Sequence, residues 1–299
     1  MKFNFDFFKY KLIAFVLSII LLLLSIFLFF ANNLNLGIDF KGGIMIEAKF
    51  SSIPDLSDLR KKIENLQIGN SEIQEFGDPS IILFKLEKID DKKISQEEII
   101  EKFKSVLEND TDYRRVEFVG PKVGKELKLI AFKAVMFSLL AMFIYIWFRF
   151  AGWQFGLGAL IALFHDVIST IGFFSLSQIE FNLASIAAIL TIAGYSINDT
   201  VVVFDRIREN LVKSDKKLPD LLNLSINQTL SRTIMTSLTT LLALIALFVF
   251  GGDVVKGFVT AMIWGVLIGT YSSIFVATPI LNYTNVNHKT VSKEDKGEV

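Results

Sequence analysis

Six long apolar blocks dominate the hydrophobic pattern of this chain. A bilayer core of about 30 Å needs roughly 20 residues of helix, because each residue adds about 1.5 Å. Four blocks are clear, whereas one must include Lys133 at a snorkelling position and another begins directly after Arg232. The pattern predicts a polytopic α-helical membrane protein with six transmembrane helices, at about residues 12–31, 129–148, 155–176, 183–204, 233–250 and 257–281.

Between the first two blocks, residues 42–121 alternate between strand-like and amphipathic segments. The turn signal Gly77-Asp78-Pro79 separates two adjacent strands. The order of segments is β-α-β-β-α-β, which predicts one α+β domain of the split-βαβ, ferredoxin-like type between helices 1 and 2. We find no catalytic constellation in it, and we therefore predict that the protein is not an enzyme.

The distribution of lysine and arginine predicts the orientation, because short cytoplasmic segments carry an excess of both. With the N-terminus inside, nearly all basic residues of the short connections lie on one side, and only Lys256 lies on the other. Long domains are exempt from this rule. We predict cytoplasmic termini and a periplasmic domain, divided as 1–36 (N-terminus and helix 1), 37–126 (domain and junctions), 127–284 (helices 2–6, with a cytoplasmic loop at 205–232) and 285–299 (cytoplasmic tail).

Composition narrows the function further. Of the 299 residues 52% are hydrophobic, and 31 basic residues balance 31 acidic ones, so no net field would attract nucleic acid. The chain has no cysteine, which excludes disulfides and thiolate metal sites within it. His165 has no second histidine or carboxylate at helical ligand spacing, which argues against a metal site.

Asp199, between Asn198 and Thr200, is the only formally charged residue of the block 183–204. A lone Asp at the centre of a spanning helix costs about 2.5–3.5 kcal/mol, so such residues are usually paired, solvated or protonated. One interpretation is an ion or proton site. The other is a structural hydrogen bond to a neighbouring helix, with the carboxyl permanently neutral.

Two more polar features accompany Asp199. Asp166 lies near the middle of the block 155–176, and we interpret it either as a second relay member or as a structural partner of a hydroxyl or of His165. Arg232 opens the fifth block and shares a helix face with Thr236 and further hydroxyls, so it is the candidate counter-ion. A charge-changing group, a counter-ion and hydroxyls are the components that a proton relay requires.

The last block has small residues at intervals of four, which allow close helix contact either within the chain or with a partner. They are Gly257, Ala261, Gly265, Gly269 and Ser273. In the cytoplasmic loop, residues 218–230 have enough leucines to lie along the membrane surface, although an ordinary linker is the alternative.

Four segments together resemble the SecD/SecF family of protein-export membrane subunits, and the likeness covers nearly the whole chain. They are GIDFKGG (37–43), VGPKVGKEL (119–127), GYSINDTVVVFDRIREN (194–210) and SRTIMTSLTT (231–240). The resemblance implies a half-transporter of the resistance-nodulation-division superfamily in the bacterial inner membrane. It also implies SecD, the SecYEG channel, SecA, YajC, YidC, unfolded preprotein and membrane lipids as partners.

The resemblance also implies roles for particular residues. The family's ion pathway maps onto Asp199 and Arg232, with a proton or sodium as coupling ion and no other cofactor. The junction segments map onto a hinge, although their residues could form no more than tight turns. These junction residues are Gly37, Asp39, Gly42, Gly43, Gly120, Pro121 and Gly124.

Two other functions compete with ion-driven export. A half-size exporter of lipids or small molecules would need a large apolar cleft in the outer domain, for which about 80 residues look too few. A non-transporting membrane scaffold would leave Asp199 with a purely structural role.

Overall fold

The first part of the chain consists of one membrane-length helix followed by a small extramembrane domain. The computed structural model describes residues 5–66, 71–87, 96–107, 111–150, 152–214, 216–284 and 286, so the expected tail 285–299 lies almost wholly outside the described residues. The order of strands and helices in the domain is the predicted one. The elements are α1 (Lys11–Asn32), the single turn α2 (Ile38–Lys41), β1 (Gly43–Lys49), α3 (Leu56–Glu64), β2 (Ser71–Phe76), β3 (Asp78–Glu87), α4 (Gln96–Val106) and β4 (Asp112–Val119).

The four strands form one antiparallel sheet in the order β2-β3-β1-β4. Gly77, with a φ of 79°, makes the turn between β2 and β3, where a residue with a side chain would be strained. Alternate residues of β1 and β3 point toward α3 and α4, and the Phe84 and Phe103 rings meet edge to face with centroids 4.9 Å apart. The domain therefore has its own apolar core.

Five further membrane-length helical stretches follow, so the described residues contain the six membrane-length apolar helices that the sequence predicts. The last of them passes through a π-helical turn, in which the Thr278 hydroxyl donates to the Ser273 carbonyl over 2.9 Å. These elements are α5 (Pro121–Phe150), α6 (Trp153–Ser177), α7 (Leu183–Lys213), α8 (Leu218–Phe250), α9 (Asp253–Ser272), the π turn Ser273–Ala277 and α10 (Thr278–Tyr283).

Residues 205–232 are mostly helical, which contradicts the predicted loop, and 218–230 form neither a separate surface helix nor a linker. The cytoplasmic placement of this connection stays a prediction. Helix α7 continues to Lys213 and α8 begins at Leu218 and runs unbroken to Phe250. The extensions are stable because each has an apolar stripe buried against its neighbours, while Glu209 pairs with Arg206 and Lys213 one turn away on the surface. The buried stripe comprises Ile207, Leu211, Leu221, Leu222 and Ile226.

The row of small residues in α9 packs within this chain, against α7. Gly265 faces the Ile192 side chain, and a Cβ at Gly269 would lie 3.0 Å from the Cβ of Ser196. Such close approach excludes any larger residue at these two positions. The interface is therefore internal, and it fixes α9 beside the helix that carries Asp199.

Helix α1 contacts the bundle mainly through small residues that face α6. A Cβ at Gly172 would lie 2.6 Å from the Cα of Ser25. Most of the remaining α1 surface is exposed leucine, isoleucine and phenylalanine, as expected of a helix that faces lipid.

We expect Gly172→Ala to destabilise the full chain by about 1–3 kcal/mol, because α1 would have to move away from α6. Unfolding by SDS in mixed micelles would measure this difference. Gly194→Ala is the matched control, since a Cβ at Gly194 would have no neighbour within 4 Å. Equal effects of the two substitutions would contradict the close packing of α1 on α6.

Candidate functional site

Asp199 lies near the midpoint of α7 with only 3% of its surface exposed. The Thr236 hydroxyl and the Arg232 guanidinium, both on α8, are close enough to act electrostatically on its carboxylate. Its Oδ2 atom has no hydrogen-bond partner among the described residues. A buried carboxylate with one unsatisfied oxygen is a position where a proton, a cation or a group from another chain can bind.

The opposite wall of this site is open. Arg232 and Asn198 are exposed on the surface of the chain, and Thr236 is half-buried. Lipid cannot solvate an arginine and an asparagine at such a position without a large cost. The polar face that these residues form with Asp199 is therefore incomplete in the isolated chain.

The threonine hydroxyls that follow Arg232 along α8 do not hydrogen-bond to one another. The Thr236 hydroxyl bonds the carbonyls of Arg232 and Thr233 at 3.1 and 2.9 Å, and Thr240 bonds the Thr236 carbonyl at 2.9 Å. Such bonds to the preceding turn satisfy a hydroxyl inside its own helix. Thr236 is close enough to act electrostatically on Asp199, but side-chain hydrogen bonds do not link the row of hydroxyls.

Thr200 belongs to a different contact from Asp199, although the two are adjacent in sequence. Its hydroxyl lies 2.8 Å from that of Ser273, at the start of the π turn, and Ser273 also donates to the Ser196 carbonyl over 3.3 Å. Consecutive helical residues point about 100° apart, which explains the separation. Of the predicted relay residues, the structure groups Asp199, Arg232 and Thr236 and places Thr200 and Asp166 elsewhere.

Asp166 is the centre of a second buried polar cluster. Its carboxylate is fully buried and lies 2.5 Å from the Ser196 hydroxyl, 2.8 Å from the Ser272 hydroxyl and 3.0 Å from Nδ1 of His165. It therefore joins α6 to both α7 and α9. The other ring nitrogen of His165 has no partner among the described residues, so only one side of this histidine is satisfied.

Ser196 and Ser272 were missed by the sequence reasoning. Both are fully buried small polar residues on helices that were otherwise interpreted as apolar spans. The sequence did contain a signal for them, because serines in spanning helices usually hydrogen-bond to a neighbouring helix. Only the three-dimensional arrangement shows that Asp166 is the acceptor for both.

We expect Asp166→Ala to destabilise the chain by about 1–3 kcal/mol, because two serine hydroxyls and the His165 ring would lose a buried partner. Asp166→Asn keeps an acceptor oxygen and is expected to retain most of the stability. The control is Asp205→Ala, which removes an exposed pair with Arg149 and should cost less than about 1 kcal/mol. SDS unfolding measures stability, and an Asp166→Asn chain that is stable yet inactive in export would indicate a relay role.

The junction between α1 and the domain is bonded to the α6–α7 connection. The Gly37 amide donates to the Phe181 carbonyl over 2.9 Å, and the Phe181 amide donates to the Asn35 carbonyl over 2.7 Å. The Asp39 carboxylate accepts from the backbone amide of Leu183 over 2.9 Å, at the first residue of α7. A carboxylate at a helix N-terminus is favoured by the unpaired amides and the helix dipole.

The junction glycines occupy closely packed positions. Among them Gly42 alone has a left-handed φ, of 86°. Gly43 faces the Leu86 carbonyl, and a Cβ at Gly124 would lie 2.9 Å from the Phe40 carbonyl oxygen. Gly43 and Gly124 therefore allow close backbone contacts, while Gly120 accepts from the Gly124 amide over 3.0 Å and Pro121 is the first residue of α5. The hinge role of the junction stays a prediction.

A half-buried ion pair adds a second attachment of the domain to the helices. Lys85 on β3 pairs with Glu180 in the α6–α7 connection, and their side chains are 11% and 17% exposed. Glu72 on β2 lies 3.6 Å from the same lysine. Burial raises the pKa of the Glu180 carboxyl, and the bond from Lys85 opposes that effect.

No group of three or more potential metal ligands occurs in the part of the chain that the structure describes. Six spanning helices, one inserted α+β domain and a buried carboxylate beside exposed polar residues define a multi-pass membrane protein.

Comparison with known proteins specifies the class. The model of the C-terminal region of protein export membrane proteins SecD/SecF matches residues 98–287, and the SecD/SecF GG motif matches residues 27–52. The chain belongs to the SecD/SecF family. It is 47% identical over 285 residues to the protein translocase subunit SecF of Rickettsia bellii, covering 94% of this chain and 93% of that protein. The Rickettsia conorii subunit is 46% identical, with 94% and 92% covered.

Two solved structures have the same fold. The crystal structure of SecDF, a translocon-associated membrane protein from Thermus thermophilus, superposes with a TM-score of 0.78 at 37% identity and covers 95% of this chain. SecDF in its super-membrane-facing form gives a TM-score of 0.72 at 36% identity. The present chain spans 39% of the length of either SecDF chain.

Proposed function

We propose that this chain is an ion-driven accessory subunit of bacterial protein export. It works with SecD to draw preproteins out of the SecYEG channel after SecA has inserted them, with YajC and YidC as further partners. The observation that carries the proposal is the Asp199 site, where a buried carboxylate with one unsatisfied oxygen faces Arg232. A group that changes charge beside a fixed cation can couple ion passage to helix rearrangement.

The incomplete polar face supports SecD as the partner. Arg232 and Asn198 are exposed at the level of a buried carboxylate, so helices from another subunit must cover them in the membrane. Solubilisation from native membranes followed by size-exclusion chromatography tests this proposal. We expect the chain to elute with SecD, and a monodisperse chain without SecD would contradict the partnership.

The location follows from the charge distribution and the family. We propose the bacterial inner membrane, with both termini in the cytoplasm and the β1–β4 domain in the periplasm. Accessibility of single engineered cysteines to an impermeant thiol reagent on intact cells tests the orientation. The absence of native cysteines leaves no background labelling from this chain.

The proposed activity is tested by export into inverted membrane vesicles with ATP and SecA present. We expect a proton or sodium gradient to accelerate preprotein uptake only in vesicles that contain the chain. Dissipating the two gradients separately identifies the coupling ion. Equal acceleration in vesicles without the chain would contradict ion-driven export and favour the scaffold alternative.

The half-size exporter of lipids or small molecules has less support. It requires a large apolar cleft in the outer domain, whereas the described domain residues fill their own core. The cleft of about 590 Å³ between the domain and the helix ends contains Glu72, Lys85 and Glu180. A charged cleft of this kind does not suit an apolar substrate.

A further inference from the structure

An apolar groove runs down the outside of the helix bundle from the domain end. It is bounded by α5 on one side and by α6 and α7 on the other, and the α1–α2 connection and Phe181 close its upper end. We call it the α5–α6 groove. Its volume is about 430 Å³, and every described lining residue is apolar except Lys128.

The groove has the length of one bilayer leaflet. Along α5 its lining runs from Lys128 to Leu139. The eleven helical rises between these two residues correspond to about 16 Å, which is close to half of a hydrocarbon core of about 30 Å. Phe132 and Phe164 on its rim are 64% and 37% exposed, so the groove is open on the side where lipid surrounds the helices.

The size of the groove decides between the possible occupants. A spanning partner helix would need a complementary face of about 30 Å, whereas the groove extends over only about 16 Å. Water has no polar partners along the apolar walls and is disfavoured there. A single hydrocarbon chain is narrow and apolar, and it enters laterally from the bilayer.

The charge at the upper end indicates the kind of lipid. Lys128 lines the groove, and Lys125 and Lys122 precede it on the first turns of α5, all three exposed. Glu126 points about 160° away from Lys128 around the helix, so it does not neutralise this edge. Asp39 already accepts from the Leu183 amide. The free lysine edge is suited to a phosphate at the membrane surface.

We propose that the α5–α6 groove binds an anionic phospholipid of the leaflet on the domain side. One acyl chain lies along Ala131, Val135 and Leu139, and the phosphate lies at Lys128 with Lys125 one turn above. The bound lipid fills the space between α5 and the α6–α7 pair. This site is independent of Asp199 and of the ion pathway.

Photocrosslinking tests the acyl-chain position. The full chain, purified from its membranes with any bound subunits, is reconstituted into phosphatidylcholine vesicles doped with phosphatidylglycerol that carries a diazirine midway along one acyl chain. We expect labelling to concentrate on 131–139 and 164–171. Ala131→Trp should reduce it to the level on exposed α8 residues, whereas Ala141→Trp, on the same helix but outside the groove, should not.

The headgroup is tested by charge. Lys128→Ala should lower the preference for phosphatidylglycerol over phosphatidylcholine about fivefold, because one lysine near a membrane surface contributes about that factor. Lys133→Ala, exposed on the same helix but outside the groove lining, should leave the preference unchanged. Size-exclusion profiles verify that each variant is folded, and the surface variant Lys128→Ala tests the site even if Ala131→Trp misfolds.

Three results would overturn the proposal. They are uniform labelling around the bundle, labelling of 131–139 that persists in a folded Ala131→Trp chain, and crosslinks from the groove to another protein instead of lipid. Unchanged lipid preference in Lys128→Ala would likewise refute the anionic headgroup.

Discussion

We expect Asp199→Asn to reduce gradient-dependent preprotein export at least about tenfold while leaving the amount of folded chain unchanged. Asparagine has nearly the same size and keeps an acceptor oxygen, but it cannot change charge. A tenfold loss corresponds to about 1.4 kcal/mol, less than the 2.3 kcal/mol that one charge gains per 100 mV. The measurement is preprotein export into inverted vesicles with and without the gradient.

Asp205→Asn is the matched control for this substitution. Asp205 lies on the same helix, but it is exposed and paired with Arg149 at 2.9 Å, so its loss should leave export intact. Full gradient-dependent export by Asp199→Asn membranes at normal chain levels would mean that Asp199 is structural. The same outcome would favour the scaffold interpretation of the whole chain.

The second large effect is expected from tethering the domain to the helices. Lys85→Cys with Glu180→Cys places one thiol on β3 and the other in the connection that leads into α7. A reversible bifunctional thiol reagent that bridges them should lower export at least about tenfold, and reduction should restore it. The free energy released when one charge crosses the membrane is enough to separate one ion pair, but it cannot break a covalent bridge.

The control is a bridge within the domain. Lys49 and Ile81 are register partners on β1 and β3, so Lys49→Cys with Ile81→Cys joins two strands without attaching the domain to the bundle. Export should continue with this bridge closed. Undiminished export with the Lys85–Glu180 bridge complete would show that the domain does not leave its docked position during transport.

Most of the fold is predictable from local patterns. The six apolar blocks and the β-α-β-β-α-β order depend on hydrophobic period and length, which are properties of short segments. The loop prediction at 205–232 failed because those residues are charged on one side, and a charged helix that packs on another helix resembles a loop in hydropathy. Ile207 and Leu222 are buried because α7 and α8 pack in the same cluster, and no local sequence pattern reveals this packing.

The candidate site divides in the same way. Asp199 stands out in the sequence because a charge in an apolar block is costly wherever the block packs. The helix face that Arg232 shares with Thr236 and the family resemblance both indicate it as the counter-ion. Because 33 positions separate it from Asp199 in sequence, only folding can bring the two close. Ser196 and Ser272 are chemically unremarkable in sequence, and their role depends on the position of Asp166 between three helices.

The sequence by itself determined the membrane spans, the inserted domain, the family and the unusual carboxylates, because each follows from residue type and spacing along the chain. The tertiary structure alone decided that Asp166 is enclosed by hydrogen bonds while Asp199 opens onto an incomplete polar face. It also decided that Gly43 and Gly124 lie in close backbone contacts. The physical reason is that hydrogen bonding and burial depend on residues far apart in sequence, and helix packing alone brings those residues together.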